Sequence, residues 1–324
     1  IYYSFLYTIV PLIVAFIYKI YCNRNFDTTK YKRIWDRIAF KEMFSFSGWS
    51  LFGSLANLAA QQGLNILINI FYGVTVNAAA GIANQVSTNV YGFISNFQTA
   101  FQPQIVKTYA AKEVERFHKL IFQTSKFSYF MVLVLVLPIL FTIDGILDIW
   151  LKEVPEYTAI FCRLILVYLS MEAITAPLWM SVQATGKIRN YQILMACLIF
   201  LNFPLAYVVL EIGLPVYTVW IVRIIVNVAV MTARCIYMKR KLDFPLFPYV
   251  QKVMLPILIV TMIALPVPIF LNYLIIGFWE NLIVVGLATL IVTVLDVYYV
   301  GMNVNERAMV QNVIIKKIPI LKKK

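Results

Sequence analysis

"MFSFSGWSLFGSLANLAAQQGLNILINIFYGVTVNAAAGIANQVSTNVYGFISNFQTAFQPQIV", residues 43–106, contains no charged residue. A stretch of that length has room for two crossings of a bilayer core, each needing about 20 apolar residues. Inside it four amides, Asn57, Gln61, Asn65 and Asn69, recur every fourth position. On a helix that spacing lines them along one face. The stretch predicts two membrane helices, the first carrying a hydrogen-bonding stripe.

The whole chain agrees. Hydrophobic residues make up 61% of it and charged residues 13%, with a mean hydropathy of +0.80; soluble domains hold roughly 45–50% apolar residues. So few charges cannot cover a water-facing surface. The net charge of +13 would fit nucleic acid only if Lys and Arg clustered on a folded polar face. They sit between apolar runs instead, which argues against nucleic acid as a partner. A bilayer-length window places spans at 2–22, 44–72, 78–103, 121–143, 158–183, 190–211, 216–238, 252–275 and 281–301. Runs such as "MVLVLVLPILF" (131–141) lack the two-residue alternation of a membrane β-barrel. The fold class is all-α integral membrane, with about nine transmembrane helices.

Most of the 28 basic residues lie in the loops after spans one, three, five and seven and in the tail, whereas Lys152 stands alone in the other loops. The excess of Lys and Arg marks the cytoplasmic side, so the C terminus is expected there and Ile1 outside. An outside start without an initiator Met or signal peptide reads as a C-terminal fragment. In "YKRIWDRIAFKEMF" (31–44), Tyr31, Ile34, Trp35 and Ile38 follow helical spacing between charges, as in a helix lying on the inner membrane surface. The tail "IIKKIPILKKK" (314–324) has five lysines, each attracting anionic lipid by about 1 kcal/mol.

Catalytic signatures are sparse. Cys22, Cys162, Cys197 and Cys235 have no C-x-x-C spacing, so no disulfide framework and no metal site is expected. His118, the only histidine, reads as a solvated loop residue. Phosphate-binding loops and nucleophile elbows are missing, and the outer-loop acids are too thinly spread for metal or base work. No catalytic residue and no cofactor is expected, and the chain is not read as an enzyme.

Polar groups inside the membrane are expensive and often functional. The third span continues the theme with Asn84, Thr88, Tyr91, Ser95 and Gln102, widened by Gln85, Asn89 and Asn96. Buried amides also glue membrane helices together. Stripes this broad on two adjacent spans exceed that need and favour a water-filled cavity.

"FYGVTVNAAAGIANQVSTNVYGFISNFQTAFQPQIVKTYAAKE" (71–113) and "QATGKIRNYQ" (183–192) resemble the oligosaccharide-lipid and polysaccharide flippases of the multidrug/oligosaccharidyl-lipid/polysaccharide superfamily. The likeness runs over about 44–241. It implies a 14-helix, two-lobed protein of the MATE-like kind. Residues 1–23 would be helix six, the last of a missing N-terminal lobe, and 24–43 a cytoplasmic amphipathic linker. The second six-helix lobe would be 44–241, two further helices 242–301, and a basic cytoplasmic tail 302–324. The resemblance also implies a cell-surface polysaccharide repeat unit of the O-antigen or lipopolysaccharide type as cargo. It would be carried on polyprenyl pyrophosphate and exported across a bacterial-type cytoplasmic membrane, with polysaccharide assembly machinery as a further partner. Asn57, Gln61, Asn65, Asn69, Asn84 and Thr88 would then face the cavity between lobes, offering donors and acceptors to sugar hydroxyls without desolvating a charge.

Several charged residues lie within the spans, and four call for separate reading. Arg163 is close enough to the outer end to snorkel. Asp296 precedes "VYY" at the inner interface. Glu172 lies deep and is a candidate for coupling a proton or sodium ion, the alternative being a paired or protonated carboxyl. Arg223 lies seven residues into its span, with Asn227 and Arg234 displaced by only about 40° and 20° on the same face. Such a stripe does not face lipid, where each arginine costs about 2.5–3.5 kcal/mol. The resemblance supplies a pyrophosphate for Arg223, which a guanidinium can bind in bidentate fashion. An ion pair with Glu172 is the competing expectation. At the level of function, a cation-coupled drug antiporter of the same superfamily and a non-transporting scaffold remain as alternatives.

Overall fold

The computed structural model describes residues 2–26, 35–275 and 277–317. It is 89% helical with no strand among the described residues, and eight helices are long and apolar enough to cross a membrane. The chain is an all-α integral membrane protein.

It divides into two compact units, 1–45 and 46–324. The first holds α1 (Tyr2–Asn25), whose side chains from Phe5 to Tyr21 are exposed and mostly apolar on every face, and the first turns of α2 (Arg37–Ala110). Asp36 starts α2: its carboxylate accepts from the backbone N–H groups of Ile38 (2.8 Å) and Ala39 (3.2 Å), satisfying donors a helix start leaves orphaned. The helix thus begins at Arg37, and Trp35 precedes it. Tyr31 and Ile34, with most of the expected surface helix, lie outside the described residues, as does the tail from 318 to 324.

In the second unit, the spans expected at 44–72 and 78–103 form one helical run broken at a single residue. Gly73 has φ +81° and ψ −178°, a conformation open to glycine and strained for any L side chain. No atom beyond its chain neighbours crowds it, so the dihedral alone explains the glycine. Contacts show that the chain reverses there. Trp49 lies under the Arg189 guanidinium (5.2 Å) and Gln102 reaches Gln183 (3.4 Å), so two residues far apart along α2 meet residues on either side of one short turn, 185–188. At the opposite end Tyr72 donates to the Leu214 carbonyl (3.0 Å). A straight run of this length would extend far beyond a 30 Å bilayer core. The expected five-residue loop is therefore one residue, and the two spans are arms 37–72 and 74–110 of a helical hairpin.

The remaining elements follow as antiparallel crossings: α3 (Val114–Trp150), α4 (Thr158–Ala184), α5 (Arg189–Glu211), α6 (Thr218–Leu242), α7 (Leu246–Leu274) and α8 (Phe278–Gly301). The first arm of α2 runs alongside α5, where Gly63 lets Phe203 approach; a Cβ there would sit 2.7 Å from the ring. The second arm runs alongside α4, and α3 packs on both α4 and α8. The largest apolar cluster joins α3, α4, α6 and α7. Within it Phe122, Phe244 and Tyr249 pack with ring centroids 5.4–5.6 Å apart. His118, expected to be solvated, is instead half-buried with its ring edge-on to Phe244 at 5.5 Å, a neighbour 126 residues away that no local pattern marks. Arg163 finds Asp144 beside it as an ion-pair partner. Asp296 is 6% exposed, and neither carboxylate oxygen has a partner among the described residues.

A final helix, α9 (Val304–Lys317), is fastened by a buried ion pair. Lys126 of α3 meets Glu306 at 2.6 Å, with side chains 2% and 8% exposed. The same Glu306 oxygen accepts the Asn303 backbone N–H at 2.8 Å. That is half of a capping box, in which a residue in the first turn reaches back to the N-cap.

Candidate functional site

A cavity of about 240 Å³ opens among the first arm of α2, α4, α5 and α6. The residues of α6 that line it, Arg223, Asn227, Val230 and Arg234, advance by four, three and four, the repeat that keeps a helix face in register. From first to last this face rises about 16 Å. Alpha-helix geometry alone therefore turns a sequence stripe into a polar rail along one wall.

The rail has spare donors. The Arg223 guanidinium lies 4.2 Å from the Tyr168 ring centroid and 5.4 Å from that of Trp220, so two aromatic rings flank the cation. Its Nη1 is buried and unpartnered among the described residues, and so are Nδ2 of Asn227 and Nε of Arg234. Asn227 is 5% exposed and Arg234 7%. Arg234 Nη1 donates to the Thr175 carbonyl at 2.9 Å. Glu172 stands 3.8 Å from that same nitrogen. The ion pair offered as the competing expectation for Arg223 is instead made between Glu172 and Arg234, about three turns further along the same helix face.

The other walls are polar and aromatic. From the first arm come Ser50, Ser54, Asn57 and Gln61; from α4, Trp179 and Gln183; from α5, Tyr191 and Asn202. Trp179 and Tyr191 stack at 5.0 Å with 15° between their planes. The Tyr191 hydroxyl and the Asn202 side-chain oxygen are also buried without partners. Among the described residues no group of three or more His, Cys, Asp or Glu could hold a metal ion.

Of the residues singled out in the sequence, the cavity brings together Asn57, Gln61, Glu172, Arg223 and Asn227. It does not include Asn65, Asn69, Asn84 or Thr88. Asn65 bonds to Gln62 (3.3 Å), Asn69 is exposed near the Gly73 end of its arm, and Thr88 bonds back to the Asn84 carbonyl (2.8 Å). Further along the second arm the amides serve as adhesive: Gln98, 1% exposed, donates to the Ala173 carbonyl of α4, and Gln102 to Gln183. The two amide stripes therefore have different fates, one partly lining the cavity and the other partly bonded to α4. Sequence reasoning placed Arg234 on the stripe but left it out of the site. It missed Tyr168, Trp179 and Tyr191, which carry no signal among so many membrane aromatics.

Residues 50–208 match the MatE family model. The match supports the multidrug/oligosaccharidyl-lipid/polysaccharide superfamily, whose MatE members are membrane transporters and not enzymes. The MatE-like stretch contains Asn57, Gln61 and Glu172, whereas Arg223, Asn227 and Arg234 lie past its end. No curated protein and no solved structure matches the chain.

The wall assignment has a direct check. Cysteines replacing Asn57 and Gln61 should react with a water-soluble thiol reagent in the intact membrane. Cysteines replacing Leu58 and Ile66, which are exposed apolar residues outside the cavity lining, should stay unmodified under bilayer conditions. Equal protection at all four positions would mean that the first arm borders no water.

Proposed function

We propose that this chain is the second lobe and C-terminal part of a flippase that moves a lipid-linked oligosaccharide across the bacterial cytoplasmic membrane by alternating access. The polyprenyl tail stays in lipid while the headgroup passes through the polar cavity, as in transporters whose lobes rock about a midplane site. The observation that carries this reading is the charge and valence of the cavity. Arg223 and Arg234 face a single carboxylate, Glu172, leaving one positive charge and several unused N–H donors. Neutral amides and a stacked aromatic pair border them, which suits a cargo with an anionic linkage and hydroxyl-rich sugars. Arginine is the side chain whose fork matches phosphate oxygens in pairs.

In this reading a first lobe supplies the facing wall, and the C terminus is cytoplasmic. Glu172 is the carboxylate available for coupling to a proton or sodium ion. Anionic lipid attracts the basic tail, and polysaccharide assembly machinery supplies and receives the cargo. A drug antiporter is the reading from another class; it would favour a cavity with excess negative charge for cationic compounds, the reverse of this lining.

Deleting the gene in its own cell discriminates the two. Loss of surface glycan with lipid-linked repeat units accumulating in the inner leaflet is the expected result. Unchanged surface glycan together with retained cationic dye inside the cell would establish the antiporter instead.

A further inference from the structure

Two acid–base pairs in this protein are built differently. Lys126 and Glu306 sit 2.6 Å apart, both side chains are at least nine-tenths buried, and a backbone N–H completes the carboxylate. That pair is a permanent fastening. Arg234 and Glu172 are 3.8 Å apart, beyond hydrogen-bond reach. Arg234 is fixed: its side chain is 8% exposed and anchored on the Thr175 carbonyl. Glu172 is not. Its side chain is 29% exposed and it lines the cavity. Around the carboxylate stand Tyr168 from its own helix, Tyr91 from the second arm of α2, Tyr191 from α5 and Arg234 from α6, all within electrostatic reach. Arg223 reaches Tyr168 on the same side.

A carboxylate at that distance attracts Arg234 but uses none of its hydrogen bonds. The guanidinium keeps Nε unpartnered, and charge-assisted bonds from such a group form at about 2.7–2.9 Å. An anionic oxygen entering the cavity can take that position and outcompete the longer contact. We propose that Glu172 is a displaceable internal counter-ion: it neutralises Arg234 when no cargo is bound and yields Arg234 to a diphosphate oxygen of the incoming lipid. This inference rests on the flippase reading and names the chemistry of its site, a lipid diphosphate.

The consequence is kinetic as well as energetic. A cavity with two uncontested arginines would hold an anion too firmly to pass it on. Glu172 competes for Arg234 continuously and so favours release over capture. Its role is one of positioning and specificity, through Arg234.

The test measures binding of farnesyl diphosphate, inorganic pyrophosphate and farnesol by calorimetry, using the full-length protein in lipid nanodiscs. Glu172→Gln should bind farnesyl diphosphate about tenfold more tightly than the natural protein, the equivalent of one charge-assisted hydrogen bond no longer contested. Arg234→Ala should weaken binding, and the double variant should show none of the gain, since neighbours acting on one group are not additive. If Glu172→Gln does not accumulate in the membrane, Glu172→Asp, one methylene shorter, should show the same tightening at a smaller magnitude. Unchanged or weaker binding in the Glu172→Gln and Glu172→Asp single variants, with the natural protein still binding, overturns the counter-ion. Farnesol binding as well as farnesyl diphosphate to the natural protein and to Glu172→Gln overturns the anionic-cargo reading itself. Inorganic pyrophosphate binding as tightly as the lipid, with the gain intact, keeps the counter-ion and overturns the lipid as its source.

Discussion

Arg223→Ala should abolish export of the lipid-linked glycan while leaving the folded protein in the membrane. The guanidinium is flanked by the rings of Tyr168 and Trp220 and makes no ion pair among the described residues, so its removal leaves no unpaired carboxylate behind. That is why folding should survive. In the flippase reading the cargo loses the Nη1 group, which is buried and without a partner among the described residues, each charge-assisted bond being worth about 1.5–3 kcal/mol. Two such bonds correspond to a fall in export of roughly a hundredfold or more. Arg223→Lys restores the charge without the planar fork and should recover export only in part. Glycan export in cells producing each variant, with protein levels measured alongside, decides the matter. Normal export by Arg223→Ala would move the headgroup site elsewhere.

The second large effect falls on stability. Lys126→Ala or Glu306→Ala alone strands a charge in the buried junction of α3 and α9, and breaking a buried pair from one side costs about 3–5 kcal/mol. Each single variant should unfold in detergent roughly ten degrees below the natural protein. The double replacement Lys126→Met with Glu306→Leu fills the same space without charge and should recover most of that loss, because apolar substitutes for buried pairs are often neutral. Thermal unfolding followed by intrinsic fluorescence reads both. Single variants as stable as the natural protein would show that the pair contributes nothing.

The membrane architecture was readable in the sequence because lipid imposes a length and a composition that no other fold shares. Chain reversals were less readable. A five-residue gap between expected spans proved to be Gly73 alone, since nothing in residues 73–77 marks which of them leaves the helix except the identity of that glycine. Polar stripes showed which helix faces hydrogen-bond but not with what. Asn57 and Gln61 border the cavity while Gln98 and Gln102 bind α4, and the amide side chain is the same in both roles. The Arg223–Asn227–Arg234 face was legible from helical periodicity, whereas the choice of Arg234 as the neighbour of Glu172 depends on how α4 and α6 pack. The Lys126–Glu306 pair joins residues far apart in the chain, so no local pattern could announce it.

Gly73 also has a mechanical meaning. A loop between two helices normally works as slack that lets one slide past the other. Here the slack is a single residue, spanning about 3.8 Å from one α-carbon to the next. The arm bearing Asn57 and Gln61 cannot shift along its axis without dragging the arm that grips α4 through Gln98. The hairpin has almost no axial play at its elbow, so a displacement of the cavity wall along the helix axis is passed to the arm that contacts α4.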